Sequence, residues 1–221
     1  LETVEKRLKG NPVPVCIPLE DKSVINLVDL THHTFTGENG EVVSSDKIPD
    51  EYEELVHEHR ETMLMLVAEQ DEALEELVLM EEDIEAEMVW DALRKGTLEG
   101  TLHPAFAGSA LRNWGVQTLL DGVLKILPDP LSRPASIAKT LDGEEVPVEM
   151  SVSGSLVALA FKVQMWDGRR HVFIRIYRGI LKAGDKIAVS GKGVSERVAR
   201  IFDIDANSKK KIDQATAGQI V

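Results

Sequence analysis

Apolar positions along the chain change their period from one segment to the next. In the first nine residues Val4 and Leu8 stand four apart on one face and Gly10 follows as a stop, the pattern of a helix end. "PVPVCIP" and "SVINLVDL" then read as two short strands around the polar "LEDK", and "TFTGENGEVVSS" has the Gly and Asn content of a hairpin. Prolines at 12, 14 and 18 predict an edge position for the first strand. From Pro49, a residue suited to a first helical turn, Tyr52, Leu55, Val56, His59, Met63, Leu66 and Val67 recur at helical spacing. Leu74, Leu77 and Val78 predict a second short helix. Ile84, Met88, Trp90 and Leu93 predict a third, closed by Lys95-Gly96.

Beyond this helical cluster "TLHPAFA" returns to extended structure. Val116, Leu119, Leu120, Val123, Leu124 and Leu127 mark another helix that ends at Pro128. "PDPLSRPAS" has the composition of a linker. After it the period becomes two: Val157, Leu159, Phe161, Val163 and Met165 alternate along one strand, Val172, Ile174 and Ile176 along the next, with "WDGRR" as the turn between. "KAGDK", "SGKG" and "DIDANSKKK" punctuate later strands at the spacing of a small all-β barrel. No repeat of 20 to 50 residues is present.

Charge separates the two halves. The net charge is −13 over 221 residues, yet residues 50–91 carry 17 Asp or Glu against the single Arg60, while residues 151–221 carry 13 Lys or Arg against 6 acids. One half should repel nucleic acid and the other is able to approach it. Apolar residues make up 43% and charged residues 29%, the composition of a soluble chain with a real core, and no apolar run reaches membrane-spanning length. The charged N-terminus has no signal-peptide core, so the expected location is cytoplasmic. The lone Cys16, in an apolar stretch, is expected to be a buried packing residue.

Few residues carry chemistry. His32 and His33 are adjacent and His57 and His59 two apart, so neither pair converges at ligand spacing, and no metal is expected. There is no G-x-S-x-G elbow, Cys16 has no evident base, and no catalytic residue is expected. "AFAGSALRNWGVQTLLDGV" reads as strand, small-residue loop and helix, the place where α/β sheets hold ligands. A backbone N–H at Ala110 would accept the carbonyl of guanine as its partner and oppose the amino group of adenine. Taken alone, Gly108-Ser109-Ala110 is a weak signal and is better read as a plain αβ turn.

"RLKGNPVPVCIPL", "ALRKGTLEG" followed by "GSALRNWGVQTLLDGVLKILPDPL", and "GSLVALAFKV" followed by "GRRHVFIRIYRGILKAGDKI" and "ERVARIF" resemble translation elongation factor G or a close paralogue. The order and separations are similar from Arg7 to Val221. The resemblance implies a multi-domain fold, α/β plus all-β. Residues 1–10 and 99–128 would be the C-terminal remnant of a P-loop-type GTPase domain, 11–98 an inserted α+β subdomain with acidic helices, and 129–221 a translation-factor-type β-barrel lacking its last part. The family's Gly-rich phosphate loop, switch segments and Asn-Lys-x-Asp motif are absent; Asn207-Ser208-Lys209 does not match the last of these. Departures include Trp114 in place of a lysine, Arg178 in place of a small polar residue, Glu20 in place of a glycine, and a shorter "MWDGRR" turn.

On this resemblance Ser109, Ala110 and Leu111 correspond to residues that contact guanine. Glu69, Glu72 and Glu76, at spacings of three and four on one helix side, correspond to a face that docks the stalk protein of the large ribosomal subunit. Arg175, Arg178, Arg197 and Arg200 are candidates for small-subunit rRNA phosphates. The implied parent uses GTP and Mg to move tRNA and mRNA on the ribosome. The chain alone is expected to hold neither ligand, to hydrolyse nothing, and to have no membrane or DNA partner. Alternatives are a divergent paralogue acting in another step such as ribosome recycling, a release-type or ribosome-protection GTPase, and a pure binding module.

Overall fold

The helical start folds as α1 (Glu2–Leu8), which ends where Lys9 turns left-handed at φ 52° and buries none of its residues. The computed structural model describes residues 1–140, 142–166, 168–205 and 208–221, and the chain divides into the units Leu1–Leu127 and Pro128–Val221. In the first unit "PVPVCIP" forms two strands where one is expected, β1 (Pro12–Pro14) and β2 (Cys16–Pro18). β3 (Val24–Asn26) is shorter than its apolar run, because the Asn26 carboxamide accepts the N–H groups of Val28 and Asp29 and turns the chain. β4 (Thr31–Thr36) and β5 (Val42–Lys47) form the hairpin, and β2–β3–β4–β5 make one antiparallel sheet.

Pro49 lies just outside a 3-10 turn, Asp50–Tyr52, that leads into α2 (Glu53–Ala68). Its stripe buries Val56, Met63 and Val67. α3 (Glu72–Leu79) follows, started by the Asp71 carboxylate, which accepts from the N–H groups of Ala73 and Leu74. α4 (Ala86–Glu99) runs through Gly96 and stops at Gly100, left-handed at φ 76°, so Lys95-Gly96 is not its end. Gly96 serves packing instead: a Cβ there would lie 2.6 Å from the side chain of Leu102.

β6 (His103–Ala105) returns to pair in parallel with β1, and α5 (Val116–Ile126) completes the unit. The helix forms as expected but buries Thr118, Gly122 and Ile126, with the Phe106 ring against Gly122. Leu119, Leu120, Val123, Leu124 and Leu127 are exposed. The unit's core joins Val13, Val15, Ile25 and Leu27 to Met63, Leu74, Leu93 and Leu102, each worth roughly 1.5–3 kcal/mol on full burial. Trp90 donates to Asp29 at 2.7 Å, and Arg60 donates to the carbonyls of Leu27 and Val28, which ties the helices to the turn after β3.

The second unit is built of strand pairs. β7 (Ser136–Lys139) pairs with β8 (Glu145–Val148), and β9 (Val157–Trp166) with β10 (Arg169–Arg178). β11 (Ile180–Lys182) pairs with β16 (Gln214–Thr216), β12 (Lys186–Val189) with β13 (Val194–Arg197), and β14 (Ile201–Asp205) with β15 (Ser208–Ile212). Bonds between Ile174 and Val221, and from Gly184 N–H to the Val198 carbonyl, join the pairs around a core of Ile176, Leu181, Ile201, Ala215 and Val221. The result is barrel-like and antiparallel. Asp167 in the expected "WDGRR" turn, and Asn207 in "DIDANSKKK", lie outside the described residues.

The strict alternation expected of β9 does not hold. Between the pairs Phe173–Lys162 and Ile174–Ala160 the register shifts and leaves Phe161 as the extra residue. Val163 therefore shares a face with Val172, while Leu159 lies opposite, with Arg175. Leu159, Phe161, Val163 and Met165 are all at least half exposed.

Two outcomes follow from these contacts. Gly96→Ala should lower the stability of the first unit by about 1–3 kcal/mol through overpacking against Leu102, read in a urea melt. His33 bonds Thr31 and Ser45 hydroxyls, and burial, aided by the charge of His32, holds its pKa below the ordinary 6.5 despite Asp29 and Asp121. The unfolded chain then takes the proton first, so stability falls as pH drops through 6.5 and levels off below the folded pKa. His33→Gln should flatten that part of the curve of melting temperature against pH.

Candidate functional site

The segment 106–117 closes on itself. Ser109 and Trp114 exchange backbone bonds of 2.8 and 3.1 Å across a 3-10 turn, Ala110–Arg112, with Asn113 at φ 57° and Gly115 at φ 73°. A Cβ at Gly108 would stand 2.6 Å from the Trp114 carbonyl oxygen, and one at Gly115 2.6 Å from that of Ala107. The small residues thus allow backbone to touch backbone. The N–H groups of Ala110 and Leu111 have no hydrogen-bond partner among the described residues, and the Leu111 side chain is 93% exposed. This loop offers a flat ligand two backbone donors and an apolar edge. It offers a phosphate group no cradle of its own.

Three residues that sequence reasoning did not connect to the loop hold it in place. Ala107 N–H donates to Cys16 Sγ at 3.0 Å, so the lone cysteine anchors the loop's entry. Gln117 Nε2 donates to the Gly40 carbonyl at 3.2 Å, and a Cβ on Gly40 would lie 2.7 Å from the Arg112 carbonyl oxygen and 2.9 Å from the Trp114 ring. The Lys22 ammonium stands 5.2 Å from the centroid of that ring. Glycine at the β4–β5 tip was visible as turn chemistry, but nothing local tied it to a loop so distant along the chain. Trp114 is therefore the floor on which the hairpin tip rests.

Glu69, Glu72 and Glu76 are exposed and form no ion pair among the described residues. They do not share one helix. Glu69 caps the end of α2, Gln70 and Asp71 break the chain, and only Glu72 and Glu76 stand one turn apart on α3. The break has a physical cause in the Asp71 cap, which starts a new helix and cannot continue the old one.

The four arginines divide into two kinds. Arg175 lies 5.9 Å over the Tyr177 ring, with a buried Nε that has no hydrogen-bond partner among the described residues, and Arg178 donates from Nε to the Ser155 carbonyl at 3.3 Å. Both are half-buried parts of β10. Arg197, at the end of β13, and Arg200, just before β14, are exposed and line one cavity of about 800 Å³. Among the described residues no group of three or more His, Cys, Asp and Glu side chains could hold a metal ion, and no helix is long and apolar enough to cross a membrane.

Comparison with known proteins agrees with the strand pairs of the second unit. Residues 169–221 match the family described as elongation factor Tu domain 2, a translation-factor domain. Over 99% of its length the chain superposes on a protein of known crystal structure from Thermus thermophilus, with 26% identity and a TM-score of 0.70. The chain spans 30% of that protein's length.

The Cys16 anchor has a chemical consequence. Burial pushes its thiol pKa up, against the smaller opposing effect of the Ala107 bond. In the folded chain Cys16 should react with a thiol-specific disulfide reagent at least about tenfold more slowly than in urea at the same pH. Equal rates would mean that the loop's entry opens freely.

Proposed function

We propose that this chain is the middle part of a translational GTPase of the elongation factor G kind. The observation that carries the reading is the match of residues 169–221 to elongation factor Tu domain 2, supported by the Ser109–Leu111 loop with its unpaired N–H groups earlier in the chain. In this reading Ala110 N–H meets the guanine carbonyl, and Ser109 and Leu111 border the base. GTP or GDP and Mg are held chiefly by residues outside this sequence, because nucleotide affinity rests on a phosphate cradle and its metal. The parent uses GTP for movement of tRNA and mRNA on the ribosome in the cytoplasm.

Within that parent the chain supplies surfaces and no catalytic group. The acidic first unit docks the large-subunit stalk protein through Glu72 and Glu76 on α3 and Glu69 beside them. The basic second unit faces small-subunit rRNA, with Arg197 and Arg200 the exposed contacts and Arg175 and Arg178 more committed to the fold.

Two titrations test this. The chain alone should bind GTP no more tightly than micromolar, and sub-micromolar binding would sink the statement that the phosphate groups are held elsewhere. Purified stalk protein should bind the chain in a salt-sensitive way, and Glu69→Lys with Glu76→Lys should weaken it at least about tenfold. Binding untouched by charge reversal would leave the acidic face merely solvated.

A further inference from the structure

Between Ser109 and Trp114 the backbone N–H groups other than those of Ala110 and Leu111 are tied within the turn. Ser109 N–H reaches the Trp114 carbonyl at 2.8 Å, Arg112 and Trp114 N–H each reach that of Ser109 at 3.1 Å, and Asn113 N–H reaches that of Ala110 at 3.3 Å. Helical geometry sends free donors out of one end of such a turn and carbonyls out of the other. The β4–β5 tip rests at the carbonyl end. Gly40 is buried and left-handed at φ 64°, and a Cβ on it would stand 2.7 Å from the Arg112 carbonyl oxygen and 3.1 Å from that of Asn113. Any side chain there must move the turn or the tip. Gln117 makes a second link: its Nε2 donates to the Gly40 carbonyl at 3.2 Å, while its buried Oε1 has no hydrogen-bond partner among the described residues. The tip is braced from within, since the Glu41 carboxylate accepts from Asn39 N–H at 2.7 Å.

We propose that Gly40 and Gln117 are positioning residues for base recognition: acting on the carbonyl end of the turn, they set the direction in which Ala110 N–H meets a guanine carbonyl. The inference rests on the reading of Ser109, Ala110 and Leu111 as a base-binding loop, and adds the β4–β5 tip to that site. A hydrogen bond weakens steeply once its angle falls below about 120°, so a modest tilt of the turn is felt at the base. The same tilt costs discrimination. A donor that no longer faces the six-position of the purine neither rewards the guanine carbonyl nor penalises the adenine amino group. A glycine needed only for packing acts differently: its replacement changes stability and leaves the choice between purines as it was.

The test uses the whole chain labelled with carbonyl-13C serine and 15N alanine, because Ser109-Ala110 is the single Ser-Ala pair in the sequence and its amide then gives one resonance. The probes are GMP and AMP at millimolar concentration. GMP should shift the Ala110 amide in a saturable way, and AMP at the same concentration should leave it in place. Gly40→Ala should weaken the response to GMP at least about fivefold and narrow its margin over AMP. Gln117→Ala should act in the same direction by about two- to threefold, and it decides the matter if Gly40→Ala does not fold. If the variants that melt cooperatively keep the full GMP response, the positioning role is overturned and the base-binding reading stands. If the unaltered chain responds to neither nucleotide, or equally to both, the base-binding reading falls and the positioning role with it.

Discussion

The parallel pairing of β1 with β6 is the contact on which the first unit depends. Val13 lies opposite Pro104, Val15 N–H reaches the Ala105 carbonyl at 2.9 Å, and His103 N–H reaches that of Asn11 at 2.8 Å. Closing a loop of this length costs about 4 kcal/mol in chain entropy. Burial of Val13, Val15 and Leu102, each at roughly 1.5–3 kcal/mol, is enough to offset it. Prolines 12 and 14 are tolerated because the residues between and after them, Val13 and Val15, take the positions whose N–H groups face β6. Once the two strands are joined, Ala107 falls beside Cys16 and the Ser109–Trp114 turn is held from its entry, while the β4–β5 tip supports its far side.

The second unit answers a different problem. Its strands pair two by two, and the joins between pairs are made by a few bonds, such as those of Ile174 with Val221 and Gly184 with Val198. The apolar residues that fill the core come from separate strands or their ends, so no single strand shows the whole pattern. The cations of this unit serve two ends: Arg175 packs on the Tyr177 ring and Arg178 on the Ser155 carbonyl, whereas Arg169, Arg197 and Arg200 line the cavity.

Much of the secondary structure was legible because it rests on local physics. Helical spacing from Tyr52 to Val67, the Gly and Asn of the β4–β5 tip and the alternation in β10 each act within a few residues. The misreadings have equally definite causes. Gly96 looked like a helix stop and is a packing glycine, because only the later Leu102 decides what stands over it. The leucine spacing marked α5 but carried no sign that Phe106 packs at Gly122, so that Thr118, Gly122 and Ile126 are buried while the leucines stay exposed. The extra residue Phe161 turns one apparent face of β9 into two.

The candidate sites show the same division. The small-residue loop at 108–110, the acidic run and the basic barrel are properties of composition and spacing, so the sequence by itself determined that such surfaces exist and where along the chain they lie. It could not place Cys16 and Gly40 at the loop, separate Glu69 from Glu72 by a capped break, or bring Arg197 and Arg200 to one cavity. Those arrangements were decided by the tertiary structure alone. Periodicity reports neighbours a turn or a strand pair away, while a site joins residues whose separation along the chain carries no trace of their distance in space.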